Sequence, residues 1–148
     1  MAEILYYEDI KIDTELPALV KHPTPRQLIM WAGASGDLFE IHYDKEFALN
    51  QGFPDIVVQG DLTVAFLVQL ITDWMGEMGT FKKLSTSNRA SIFPKEDLIC
   101  KGIVRKKYIE DHEHYVDIEI WAENSKGEKC TLGKASVLLP AREKNNTS

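Results

Sequence analysis

Apolar residues follow two rhythms along this chain, a helical one as far as Trp74 and a period of two from Phe81 onward. The helical part is clearest over Asp61-Leu62-Thr63-Val64-Ala65-Phe66-Leu67-Val68-Gln69-Leu70-Ile71-Thr72-Asp73-Trp74, which is apolar on nearly every side. A helix of that kind is buried. In the second part Leu84, Thr86, Asn88, Ala90 and Ile92 alternate with Ser85, Ser87, Arg89 and Ser91, which predicts a strand. Leu98, Cys100, Gly102 and Val104 then alternate with Ile99, Lys101, Ile103 and Arg105. His114, Val116, Ile118, Ile120 and Ala122 share one face of a further strand, and Cys130 to Leu139 returns beside it. Pro94-Lys95-Glu96-Asp97 and Asn124-Ser125-Lys126-Gly127 carry the residues that favour turns.

Before the long helix the punctuation is sharper than the periodicity. Leu16-Pro17-Ala18-Leu19-Val20 reads as a strand after an irregular lead-in. Thr24-Pro25-Arg26-Gln27 predicts a helix starting at Pro25, with Thr24 at the N-cap and Gln27 placed to close a capping box. Leu28, Ile29, Trp31 and Ala32 give that helix an apolar side, and Gly33 and Gly36 end it. A second short helix runs through Asp44-Lys45-Glu46-Phe47-Ala48-Leu49, capped by Asp44 and stopped at Gly52. Helices early and antiparallel strands late give an α+β class, one antiparallel sheet laid over one buried central helix, Leu62 to Trp74. One domain over 1–142 is expected, with a polar tail fraying from Arg142 and flexible over 143–148.

Charge narrows the partners. Seventeen basic residues against 23 acidic ones leave a net charge of −6, spread along the chain, whereas a nucleic-acid groove needs a basic surface. No nucleic-acid partner is expected. The N-terminus lacks a basic region followed by an apolar run, and no stretch approaches the roughly 20 apolar residues of a membrane helix. Cys100 and Cys130 have no CxxC spacing and read as reduced, packed thiols of a cytoplasmic protein. His112 and His114 would share a face on a strand, but no third ligand accompanies them, so neither a metal nor a cofactor is expected.

The candidate chemistry lies between Trp31 and Ala48. Gly36 breaks regular structure just before Asp37, and the irregular run that follows leads to His42. Irregular segments on a rigid scaffold are where catalytic groups concentrate. Reference pKa values of about 3.9 for Asp and about 6.5 for His supply one base and one group able to act either way near neutral pH. That pair suits moving a proton on and off water.

Ser35-Gly36-Asp37-Leu38-Phe39-Glu40-Ile41-His42-Tyr43-Asp44, with Ala48 following, resembles the signature Gly-Asp-x-Asn-Pro-x-His of the MaoC-like dehydratases, a family that includes the (R)-specific enoyl-CoA hydratases. Gln59-Gly60-Asp61-Leu62-Thr63 is similar to that family's His-Gly-Met-Leu-Thr helix start. Arg89-Ala90-Ser91-Ile92-Phe93-Pro94 is similar to its Phe-x-x-Pro-Val-x-Pro-Gly-Asp strand and turn. The resemblance implies a hot-dog fold, a homodimer or a heterodimer with a second hot-dog chain, and reversible hydration of a trans-2-enoyl thioester carried by CoA or a carrier protein. It places the acid/base pair on Asp37 and His42 and the oxyanion contact on the backbone N–H of Gly60.

Phe39-Glu40 stands where the signature has Asn-Pro, and Gln59 and Asp61 flank Gly60 where His and Met are common. Asp61 would set a carboxylate near the expected oxyanion unless its side chain caps the helix instead. These departures keep open a second reading, a non-catalytic or partner-dependent hot-dog subunit that binds acyl thioesters. A thioesterase is weaker, because that chemistry does not require an Asp and a His at this spacing. Arg105-Lys106-Lys107 and Lys82-Lys83 are either a solvated face or a contact for the phosphates of CoA.

Overall fold

The computed structural model describes residues 3–143, and residues 144–148 of the expected tail lie outside them. A short 3-10 turn, Tyr7–Asp9, precedes strand β1 (Leu19–Lys21) and helix α1 (Pro25–Ser35). A second 3-10 turn, Glu40–His42, leads to α2 (Lys45–Asn50) and then to the long α3 (Gly60–Met75). Four strands finish the chain, β2 (Thr80–Asn88), β3 (Leu98–Glu110), β4 (Glu113–Glu123) and β5 (Lys129–Leu138). They join β1 in one five-stranded sheet of order β1-β3-β4-β5-β2, antiparallel at every pairing.

The period of two dictates which face closes over α3. Register pairs Cys100 with Ala122, Gly102 with Ile120 and Val104 with Ile118, so buried positions of β3 meet buried positions of β4. Ile118 with Ala135 and Val116 with Val137 carry the same face onto β5. Against this wall α3 sets Leu62, Thr63, Phe66, Leu67, Leu70, Ile71 and Met75, all buried. Burying an aliphatic or aromatic side chain of this size stabilises by roughly 1.5–3 kcal/mol before entropy is counted. A curved antiparallel sheet closed over one central helix is the hot-dog architecture.

Several expectations are corrected in detail. The first strand begins at Leu19, three residues later than expected; Leu16 is buried but irregular, its N–H donating to Gly102 O at 2.9 Å. Helix α1 runs through Gly33 and ends only at Gly36, which takes a left-handed φ of 79° and donates its N–H to Ala32 O. Leu28 and Ala32 are its buried positions, while Ile29 is exposed. Helix α3 is not buried all round: Val64, Ala65 and Val68 form a half-buried stripe away from the sheet. Strand β2 stops at Asn88 because the N–H groups of Arg89 and Ala90 both turn to Cys130 O, at 2.7 and 3.1 Å. His112 sits in the β3–β4 turn with φ 65°, whereas His114 is on β4 with its ring 4.9 Å from that of Tyr7, so the two do not share a strand face. Arg142 is held rather than frayed, donating to Asp9 Oδ1 at 2.7 Å.

The helix caps and the cysteines are as expected. Thr24 Oγ1 accepts from Gln27 N at 3.2 Å and Asp44 Oδ1 from Phe47 N at 3.0 Å, so both helix caps are in place. Cys100 and Cys130 are free and buried, and burial pushes the Cys100 thiol up to about 12. Among the described residues no helix is long and apolar enough to cross a membrane.

Lys95, in the turn before β3, has a left-handed φ of 69° while its N–H donates to Pro23 O at 2.9 Å. Glycine keeps that bond and removes the steric penalty of about 1–2 kcal/mol, less the larger backbone entropy it loses. Lys95→Gly is therefore expected to raise stability by about 0.5–1 kcal/mol in urea unfolding. A lower midpoint would show that the lysine side chain makes contacts worth more than the strain.

Candidate active site

The site begins where α1 ends. Gly36 turns the chain, and Asp37 leaves it tied by its own N–H to Ser35 Oγ at 3.2 Å. Asp37 Oδ1 accepts from Phe39 N at 3.4 Å, which leaves Oδ2 directed at His42 Nε2, also 3.4 Å away. Tyr43 closes the same loop by donating its hydroxyl to Leu38 O at 2.6 Å. The expected pair thus meets in space, on the irregular segment between α1 and α2.

His42 is almost buried, with 9% of its side chain exposed against 38% for Asp37. Its Nδ1–H donates to the backbone oxygen of Val57 at 2.7 Å. Val57 in turn donates its N–H to Ile41 O at 2.9 Å, so the extended stretch before α3 grips the His42 turn from both directions. That bond settles the neutral tautomer: Nδ1 carries the proton and Nε2 offers a lone pair. Nε2 and Oδ2 are then two acceptors facing one another, a geometry completed by a proton or by a donor such as water.

The same stretch delivers Gly60. Ile56, Val57, Val58 and Gln59 are all buried; Val58 N donates to Ile92 O at 2.8 Å and Gln59 Nε2 to Leu28 O at 2.8 Å. Gln59, in the place where the signature has His, is therefore a tie between α3 and α1. Gly60 opens α3, and no side chain caps that end. The first N–H groups of a helix lack intrahelical partners and carry the positive end of its dipole. His42 and Gly60 line one cavity of about 320 Å³ with Thr63, Asn88, Arg89 and Thr131 among its walls.

Asp61 does not cap α3: it is exposed, does not line the cavity, and its carboxylate in the first turn is a favourable charge for the helix dipole. Phe39, in the Asn position, presents its ring edge-on 6.1 Å from His42 and 5.9 Å from Phe47. Three of the basic residues have partners within the chain. Arg105 pairs with Asp13 and Glu119 at 3.0 and 2.8 Å, Lys82 with Glu113 at 3.6 Å, and Lys107 donates to Ile10 O at 2.6 Å. None of Lys82, Lys83, Arg105, Lys106 and Lys107 lines the cavity that His42 and Gly60 share. Sequence reasoning did not single out Asn88, Thr63 or Thr131 as site residues; Asn88 and Thr131 come from different strands and meet only through the register of β2 on β5.

Over residues 8–116 the chain matches the MaoC like domain. The chain belongs to that family. Solved structures agree in fold. The (R)-hydratase PhaJ1 of Pseudomonas aeruginosa superimposes with a TM-score of 0.83 at 20% identity, covering 93% of this chain and 86% of its own. The (R)-hydratase of A. caviae involved in PHA biosynthesis gives 0.81 at 19%, over 90% and 99% of the two chains. The ChsH1–ChsH2 complex of Mycobacterium tuberculosis gives 0.77 at 19%, over 88% and 98%. No curated protein sequence matches the chain.

The His42 tautomer can be checked directly. At a pH where the imidazole is neutral, nitrogen-15 spectra of this MaoC-like protein are expected to show Nδ1 of His42 protonated and Nε2 unprotonated. The opposite assignment would remove the Val57 bond as the orienting contact.

Proposed function

We propose that the chain is a hydro-lyase acting on acyl thioesters, adding water reversibly and with syn geometry to a trans-2-enoyl-CoA to give the (R)-3-hydroxyacyl-CoA. The observation that carries this reading is His42, which shares a cavity with Gly60 while its Nε2 lies 3.4 Å from Asp37 Oδ2. Membership of a dehydratase family supports hydro-lyase chemistry in general. Likeness to the two (R)-hydratases at about one residue in five adds agreement of fold.

In this reading the groups of the site divide the steps of the reaction between them. A water seated beside the pair donates one hydrogen to Nε2 and the other to Oδ2, so its oxygen lone pair points into the cavity. As that oxygen bonds to the β carbon, the C=C electrons move toward the thioester and charge gathers on its oxygen. One water proton passes to the pair, which returns a proton to the α carbon from the same side; water has then added across the double bond on one face. The N–H of Gly60 and the positive end of α3 face the charge that develops.

A second reading, the partner-dependent subunit, is favoured by one observation. β2 is an edge strand that ends in Asn88 on the cavity wall, so a chain pairing along its free edge would reach the same cavity. Sedimentation at micromolar concentration is expected to give a two-chain particle, and a fully active single chain would remove this reading.

His42→Ala and Asp37→Asn are each expected to slow hydration of crotonyl-CoA by at least about 100-fold, the lower edge for losing a positioned acid or base. The double variant should lose far less than the product of the two, because groups sharing one water act as a unit. The check is the steady-state absorbance of the enoyl thioester with variants that melt as the parent does. Full activity in either folded single variant would sink the pair and leave the binding module ahead.

A further inference from the structure

Asn88 is the last residue of β2 and faces Thr131 of β5 across the ladder. Thr131 is buried, and its hydroxyl donates to Asn88 Oδ1 at 3.1 Å. That bond takes the oxygen side of the carboxamide and turns its nitrogen the other way, toward the start of α3. A Cβ built on Gly60 would lie only 2.5 Å from Asn88 Nδ2, so the amide nitrogen rests on the bare face of Gly60. Asn88, Thr131, Gly60 and His42 line the same cavity. Among the described residues no acceptor takes either Nδ2 hydrogen.

We propose that Asn88 is a second donor to the thioester oxygen of the substrate, acting beside the Gly60 N–H, with Thr131 as its positioning residue. The proposal rests on the hydratase reading for its reaction and on the Asn88, Thr131 and Gly60 geometry for its site. As the enolate forms, charge on the thioester oxygen meets a main-chain N–H and a side-chain N–H already oriented, so neither has to turn during reaction. Gly60 then has a role beyond starting a helix: any side chain there would displace the amide. An Asn that only capped the strand end would need its Oδ1 bond to Thr131 and nothing from Nδ2.

The test compares Asn88→Ala, Thr131→Val and Thr131→Ser with the parent in two measurements. The first is kcat and KM for crotonyl-CoA. The second is the red shift of a cinnamoyl-CoA chromophore on binding to Asp37→Asn protein, which reports polarisation of the thioester carbonyl without turnover. Removing one such donor lowers kcat by about 100-fold to 1,000-fold. Asn88→Ala is expected at the lower end of that range with KM little changed, Thr131→Val is expected to lose less in the same parameter, and Thr131→Ser to recover. The red shift should shrink in step. A folded Asn88→Ala protein with the parent's kcat and red shift overturns the proposal while the hydratase reading stands. A red shift that depends on Asn88 in a parent unable to hydrate any enoyl-CoA supports the donor and overturns the hydratase reading instead. No red shift in the parent overturns the donor whatever the turnover.

Discussion

Everything at this site hangs from the hydrogen bond between His42 Nδ1–H and the Val57 carbonyl. Remove it and the imidazole is free to exchange tautomers and rotate, and Nε2 no longer meets Asp37 in one geometry. The bond is strong support because its acceptor cannot move. Val57 lies in a buried run whose neighbours are tied to Ile92 and, through the side chain of Gln59, to the backbone carbonyl of Leu28. Breaking any of those ties would leave a buried polar group unpaired, at about 1–3 kcal/mol each. The two ends of the site, imidazole and helix start, are thereby set by one stretch of backbone three residues long.

The sheet and α3 supply the immobility. β3, β4 and β5 present a continuous apolar wall, and α3 meets it with one stripe of its surface, leaving the Val64, Ala65 and Val68 stripe half-covered. The wall also brings β2 into place, and with it the amide of Asn88. A site assembled this way draws groups from the α1–α2 loop, the α3 start and the β2 end, so it exists only when the whole domain is folded.

Much of this was legible in the sequence because local chemistry settled it. Thr24-Pro25 and Asp44 start helices through their own side chains, Gly36 ends one through its own backbone, and alternation along β3 to β5 follows from having one face against a core. The Asp37 and His42 pair was legible for the same reason, being five residues apart on one short loop. What was not legible depended on contacts far along the chain. The end of β2 is fixed by Cys130 O, which takes two N–H groups that alternation alone would have kept in the ladder. Helix α1 passes Gly33 because a single glycine costs about 1 kcal/mol in a helix, less than the packing and the Gly36 cap return. Asn88 gave no signal, since a single polar residue in a strand pattern rich in Ser and Thr is ordinary until a register places it over Gly60.

The fixed points of the site are main-chain atoms: the oxygen of Val57, the N–H of Gly60 and the oxygen of Ile92 that holds Val58. At Val57 and Ile92 the carbonyl belongs to the main chain and is offered by any residue that fits the core, whereas Gly60 has no room for a Cβ beside Asn88 Nδ2. Substitution by residues of similar size at Val57, Val58 and Ile92 can therefore leave the frame that aims His42 in place. This chain shares about one residue in five with PhaJ1 and yet follows the same backbone path at a TM-score of 0.83. A frame held by main-chain atoms is compatible with that much sequence drift.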